Sequence, residues 1–279
     1  MEFRRQYNEI AWWDWPDNFS KYRRSVLDHL KIDYQDNLLE QYLLQWHLDR
    51  QWNALRKLAK ELGVCLFGDL PFYVSRDSSD VWSQPSLFSI HHSGDLYSQS
   101  GVPPDYFSDT GQLWGTPVYR WHKHKSSRFR WWRSRFLHHF DQVDLLRVDH
   151  FRALDSFWLV PGNAETAQNG FWSPSPGLKL LSLLRKDLGG KLPLVAEDLG
   201  VITQKVEDLR NYFDLPGMKI IQFAFDGNLE NPYLPENIKG SGWIVYTGTH
   251  DNETISGWWS NLSDESKKFV ASKFISQGN

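Results

Sequence analysis

Five short apolar runs recur along the chain and each carries an acidic side chain after its apolar stretch: GVCLFGDLPFYV (63–74), QVDLLRVDHF (142–151), LPLVAEDLG (192–200), MKIIQFAFD (218–226) and GWIVYTGTHDN (242–252). They are too short for free-standing helices and too continuously apolar for a sheet with one wet face. They therefore predict strands buried on both faces, as in a parallel sheet. Helical patterns lie between several of them. Residues 41–62 set Leu43, Leu44, Leu48, Leu55, Leu58 and Leu62 largely on one face, with Gly63 placed as a C-cap. Residues 178–188 and 203–213 read the same way, with Thr203 as an N-cap and Glu207 in the first turns. Alternating strand and helix predicts an α/β fold with right-handed crossovers. Residues 71–127 break the rhythm: they are rich in Ser, Pro, Gly, His and Trp with little periodicity, which predicts a long functional loop insertion rather than disorder.

The acids at the run ends are Asp69, Asp149, Glu197, Asp226 and Asp251. In a (β/α)₈ barrel the C-terminal strand ends share one mouth, where residues distant in sequence converge. An open doubly wound sheet would spread them along an edge, and no Gly-rich phosphate fingerprint follows any strand. The expectation is a TIM barrel with long loops at its C-terminal mouth. Five strands are too few to close it, so the barrel is expected to be incomplete, with residues 1–279 forming a single partial catalytic domain.

Composition narrows the partners. A net charge of −3 gives no basic footprint for nucleic acid. A lone cysteine, Cys65, rules out an intramolecular disulfide and favours a reducing compartment. No run of about 20 apolar residues exists to span a membrane, and the N-terminus carries charge and tryptophan where a signal peptide needs apolar residues. A cytoplasmic protein without membrane contact is expected, or a plastid one if the source is a plant or alga. The 15 tryptophans often sit beside Gly, Pro, Asp and Asn, as at Trp82, Trp114, Trp121, Trp172 and Trp258. Aromatics so placed either fill a core or line a cleft whose flat faces meet sugar rings.

The acids can do chemistry. Arg147 and Asp149, at i and i+2 of a strand, share a face, so the guanidinium holds the carboxylate ionised, as a nucleophile requires. Glu197 follows an apolar approach beside Asp198, an environment expected to raise its pKa toward that of a general acid. Asp251, between His250 and Asn252, is placed to bind sugar hydroxyls. Two carboxylates flanking an acetal carbon are the minimum for glycoside chemistry. The bland alternative is ordinary ion pairing with Arg120, Arg147 and Arg152. The His pairs at 91–92, 122/124 and 138–139 lack a zinc-ligand pattern and are expected to be exposed; no metal or cofactor is expected. The basic run RWHKHKSSRFRWWRSR (120–135) reads as a solvated helix face with a few buried tryptophans, and Cys65 as inert strand core.

Six stretches carry a resemblance: FGDLPFYVSRDSSDVW (67–82), GVPPDYFSDTGQLWGTPVYRW (101–121), LLRVDHFRAL (145–154), VAEDLG (195–200), PGMKIIQFAFDG (216–227) and YTGTHDNETISGWW (246–259). In this order the chain resembles the 4-α-glucanotransferases, the amylomaltase or disproportionating-enzyme family, which is related to the α-amylases. The resemblance implies an α-amylase-type barrel and transfer of an α-1,4-glucan segment to an acceptor 4-hydroxyl by retaining double displacement. The alternatives are an α-glucan hydrolase of the same chemistry and a non-catalytic glucan-binding fragment. It implies that Asp149 is the nucleophile, Glu197 the acid/base and Asp251 the transition-state stabiliser. Arg147 and His250 would orient the nucleophile and bind the donor sugar, with Asp69, Trp114, His150 and Asn252 as further substrate-binding positions. Ala153 stands where the family usually has glycine. The family pattern is longer at both ends, so the chain is expected to be a fragment, or one part of a split protein completed by a second polypeptide.

Overall fold

The computed structural model describes residues 4–5, 7–22, 24–105 and 108–275; Tyr106 and Phe107 of the 101–121 stretch lie outside the described residues. The strands are β1 (Phe67–Leu70), β2 (Ser98–Val102), β3 (Gln112–Pro117), β4 (Leu145–Val148), β5 (Ser156–Pro161), β6 (Phe171–Pro174), β7 (Leu194–Ala196), β8 (Gly217–Ile220) and β9 (Trp243–Tyr246). The helices are α1 (Asp17–Ser20), α2 (Arg24–Asp33), α3 (Gln35–Glu61), α4 (Ser79–Ser83), α5 (Trp121–Ser126), α6 (Arg130–Phe140), α7 (Gly177–Asp187), α8 (Gln204–Tyr212), α9 (Ile255–Asn261) and α10 (Asp264–Ile275). The chain divides into two compact units, Met1–Pro193 and Leu194–Asn279.

In the first unit β1 and β4 pair in parallel, with Asp69 opposite Arg147. Among the described residues no strand pairs with the other edge of β1. A second sheet, in the order β3-β2-β5-β6, is antiparallel throughout. Two of its strands, β2 and β3, come from segment 71–127, which also contains α4 and α5. The core is aromatic: Phe72, Phe88, Phe129, Trp132, Phe136 and Phe151 are fully buried. Each such side chain contributes about 1.5–3 kcal/mol of transfer free energy. Helix α6 buries Trp131, Trp132 and Phe136, and the Arg135 guanidinium lies 5.3 and 5.5 Å from the Trp131 and Trp132 ring centroids. The expected solvated helix with buried tryptophans is therefore present.

In the second unit β8 and β9 pair in parallel from Gly217↔Trp243 to Ile220↔Tyr246. The last residue of β7, Ala196, donates its amide to the Pro216 carbonyl just before β8.

All five apolar runs form strands, but shorter ones than the runs. The run 218–226 leaves the strand at Ile220 and turns through a 3₁₀ segment, Ile221–Ala224. Asp226 thus lies in a loop and not at a strand end; its carboxylate accepts the Asn228 amide, which holds its pKa below the usual range. Cys65 is also a correction. It lies between Gly63, at φ +70°, and the start of β1, and it is exposed rather than strand core. His124 is another: it is buried, its Nε2 donates to the Leu87 carbonyl, and burial lowers its pKa to about 4. On α3 the leucines do share a face, but that face is exposed. The helix docks instead through Ala59, Trp52, whose Nε1 donates to the Gln142 carbonyl, and Arg56, which pairs with Asp144.

Candidate active site

The first unit presents a carboxylate cluster. Arg147 sits on β4 opposite Asp69 of β1, and its guanidinium forks: Nη1 donates to Asp69 Oδ1 at 2.7 Å and Nη2 to Asp149 Oδ1 at 2.9 Å. The arginine side chain is 12% exposed while the two acids are 47% and 42% exposed, so a largely covered cation holds two accessible carboxylates. Asp149 is fixed from behind as well, because its amide donates to the Leu70 carbonyl at 3.0 Å.

Immediately after Asp149 the chain turns sharply. His150 adopts φ +50°, ψ 48°, a left-handed conformation uncommon outside glycine and asparagine. It begins the 3₁₀ segment Phe151–Leu154, all four residues of which are buried. Ala153 lies inside that segment without a positive φ, so its methyl meets no backbone conflict. The imidazole of His150 has a pKa lowered to about 3, by burial first and by the Arg152 charge second. It is neutral at physiological pH.

Aromatic rings wall this corner. Trp114, on β3, meets His150 edge-on at 4.8 Å, and its Nε1 donates to Gln112 Oε1 at 3.2 Å. Tyr73 lies 5.9 Å from Trp114 and 6.3 Å from His150, and stacks on Tyr119 with ring planes 9° apart. Burial raises the pKa of Tyr73 well above its ordinary value. Tyr73 and Tyr119 are residues that the sequence alone does not single out; only their place in the FGDLPFYV and PVYRW stretches points to them. Arg152 is buried against the face of Trp172, 3.6 Å from its centroid.

The second unit carries the other predicted residues. Glu197 directly follows β7, and its Oε1 accepts the Leu199 amide at 3.0 Å. Asp251 lies five residues past β9, exposed, with its Oδ1 3.4 Å from His250 Nε2. Asn252 closes the THDN turn, where its Oδ1 accepts from the Thr249 amide at 2.9 Å and from the Thr249 hydroxyl at 3.0 Å. Among the described residues no group of three or more His, Cys, Asp or Glu is arranged to hold a metal ion, and no helix is long and apolar enough to cross a membrane.

Short parallel strands alternating with helices, with arginine-held carboxylates beside stacked aromatic rings, define an α/β protein. A solved amylomaltase from Streptococcus agalactiae, in complex with acarbose, superposes with a TM-score of 0.91 at 36% identity, over 97% of this chain and 55% of that one. The family model for 4-α-glucanotransferases matches residues 1–279, and the chain belongs to that family. A 4-α-glucanotransferase of Synechocystis sp. is 43% identical over 275 residues, and one of Thermus thermophilus is 40% identical over 272. A chloroplastic/amyloplastic relative from Arabidopsis thaliana is 41% identical over 270 residues. The chain spans about half the length of these curated relatives: 97% of it matches 54% of the Synechocystis protein, and 96% matches 46% of the Arabidopsis one.

Proposed function

We propose that the chain carries the catalytic centre of a 4-α-glucanotransferase, which moves a segment of a donor α-1,4-glucan to the 4-hydroxyl of an acceptor sugar. The observation that carries this reading is the Arg147 fork, which holds Asp69 of the FGDLP stretch and Asp149 of the RVDHFR stretch together at the ends of two paired parallel strands.

Asp149, held as a carboxylate by Arg147, attacks the anomeric carbon as the glycosidic C–O bond breaks. The Glu197 carboxylic acid gives its proton to the departing 4-oxygen. The product is a glycosyl ester on Asp149 with inverted configuration. Glu197, now a carboxylate, takes the proton of an acceptor 4-hydroxyl, whose oxygen attacks the same carbon and displaces Asp149. Two inversions give retention. Asp251 and His250 bind the donor sugar and stabilise the charge that grows on its ring, with the Asn252 amide beside them. Trp114 and the neutral His150 offer an apolar edge to a glucose ring, and such a surface favours a sugar acceptor over water.

In this reading residues 1–279 belong to a single partial catalytic (β/α)₈ barrel domain, and segment 71–127 is its substrate-lining insertion. The glucan is the ligand, with no cofactor. The site works in cytoplasm or plastid.

The test is incubation of the 279-residue chain with maltotriose, with products resolved by length. Glucose together with oligomers longer than the substrate supports transfer, and Asp149→Asn should reduce it on the order of 10³-fold or more. Glucose and maltose without longer products would assign a hydrolase. Saturable glucan binding without turnover, unchanged in Asp149→Asn, would assign a binding fragment.

A further inference from the structure

Glu197 is followed directly by a second acid, and two neighbouring carboxylates raise each other's pKa unless one is neutralised. The second unit neutralises Asp198. This carboxylate is buried, and its Oδ1 accepts the Met218 amide of β8 at 2.8 Å while its Oδ2 accepts from Arg210 Nη1 of α8. One side chain thus ties the turn after β7 to the next strand and to the next helix. The Arg210 guanidinium lies 4.3 Å from the centroid of the Trp243 ring, the first residue of β9, and its Nη2 donates to Asn211 Oδ1 at 3.2 Å. A Cβ on Gly217 would stand 2.5 Å from Arg210 Nη1 and 2.6 Å from both Asp198 Oδ2 and the Trp243 ring, so the assembly closes only over a glycine. Glu197 is half-buried at its edge, pinned by the Leu199 amide.

We propose that Asp198, Arg210 and Trp243 form a positioning clamp for Glu197, which fixes the turn that carries it and cancels the charge of the acid beside it. This rests on the reading of Glu197 as the acid/base, but its electrostatic consequence can be read without turnover. The charged and titratable groups around the clamp are Asp198 itself, Arg210 and Glu207 on α8, Lys219 on β8, and Tyr233 in the loop before β9. Lys219 Nζ sits 4.9 Å from the Tyr233 ring and 4.1 Å from the Trp243 ring, and burial lowers its pKa. Burial, then the charges of Asp198 and Glu197, raise the Tyr233 hydroxyl to about 12, so it stays protonated across the working range.

Removing Arg210 leaves an anion beside Glu197; removing Asp198 leaves a cation. The two changes must therefore move the Glu197 titration in opposite directions, and removing both must largely cancel. The measurement is a carbon-13 NMR pH titration of the full chain with labelled glutamate carboxyls, the Glu197 resonance being assigned with Glu197→Gln. Arg210→Met should raise the Glu197 pKa by about half a unit to one unit, and Asp198→Asn should lower it by a similar amount. The double variant and Arg210→Lys should return close to the parent value. If Arg210→Met does not fold, Asp198→Asn against the double variant and Arg210→Lys decides. Shifts of one sign, or no shift in folded variants, overturn the clamp. An inactive chain with opposite shifts would retain the clamp and discard the transferase reading, while an active chain without them would do the reverse.

Discussion

Arg147 shows what one residue in a strand can settle. Its spacing from Asp149 is readable from the alternation of strand faces, because i and i+2 share a side. Its second partner is not, since Asp69 lies 78 residues away and reaches Arg147 only through the β1–β4 register. In sequence the acid after Glu197 reads as a charge that raises its pKa, whereas the fold gives Asp198 to Arg210. The left-handed turn at His150 leaves no trace in composition. It matters to stability, because His150 and His124 have folded-state pKa values of about 3 and 4, below the ordinary 6.5. Both bind protons more readily when unfolded, so their contribution is complete above pH 6.5 and is lost as pH falls toward those values. Between pH 6.5 and 5 the urea midpoint of the parent should fall, with each histidine contributing at most about 1.4 kcal/mol per pH unit. His124→Gln should flatten that slope. Gly217→Ala, by contrast, should destabilise at every pH by about 1–3 kcal/mol through overpacking, as urea unfolding would show.

Among elements, helices are the easier reading and sheets the harder. The predicted 178–188 and 203–213 form α7 and α8 within a residue or two. Thr203 does stand at the N-cap of α8, yet its side chain makes no capping bond; Thr254, at the start of α9, accepts the Gly257 amide at 3.2 Å. Thr254→Ala should therefore cost about 1 kcal/mol, while Thr203→Ala should cost a small part of that, in paired thermal melts. The antiparallel sheet escapes a sequence reading because its strands, such as SQSGV and QLWGTP, carry neither an apolar run nor a clean alternation. Their pairing depends on close approach at Gly101, where a Cβ would stand 2.2 Å from the Gln112 carbonyl.

At the scale of the whole molecule, α3 is the outlier. Its 27 residues bury only Ala59, and Leu44 (54% exposed), Leu48 (55%), Leu55 (46%) and Leu58 (52%) repeat along it at heptad-like spacing. Exposed leucines contribute little to the fold of the isolated chain, so Leu48→Gln with Leu55→Gln should change unfolding free energy by no more than about 0.5 kcal/mol each. The same pair should lower dye binding to apolar surface and raise the concentration at which the protein scatters light. Trp52→Ala, which removes a docking residue, should instead loosen the helix and lower the urea midpoint. The helical period is legible in sequence; which face is covered is not, because period reports a stripe and not its neighbour.

The outer edge of β1, which no described strand covers, belongs to the strand that holds Asp69. That acid and Asp149 share one guanidinium, so they compete for a single positive charge. A strand seated along Phe67–Leu70 would hold the backbone of Asp69, and through the shared guanidinium would bear on Asp149, the nucleophile proposed above. In that proposal the reactivity of Asp149 becomes a gauge of what borders the sheet, read through one arginine.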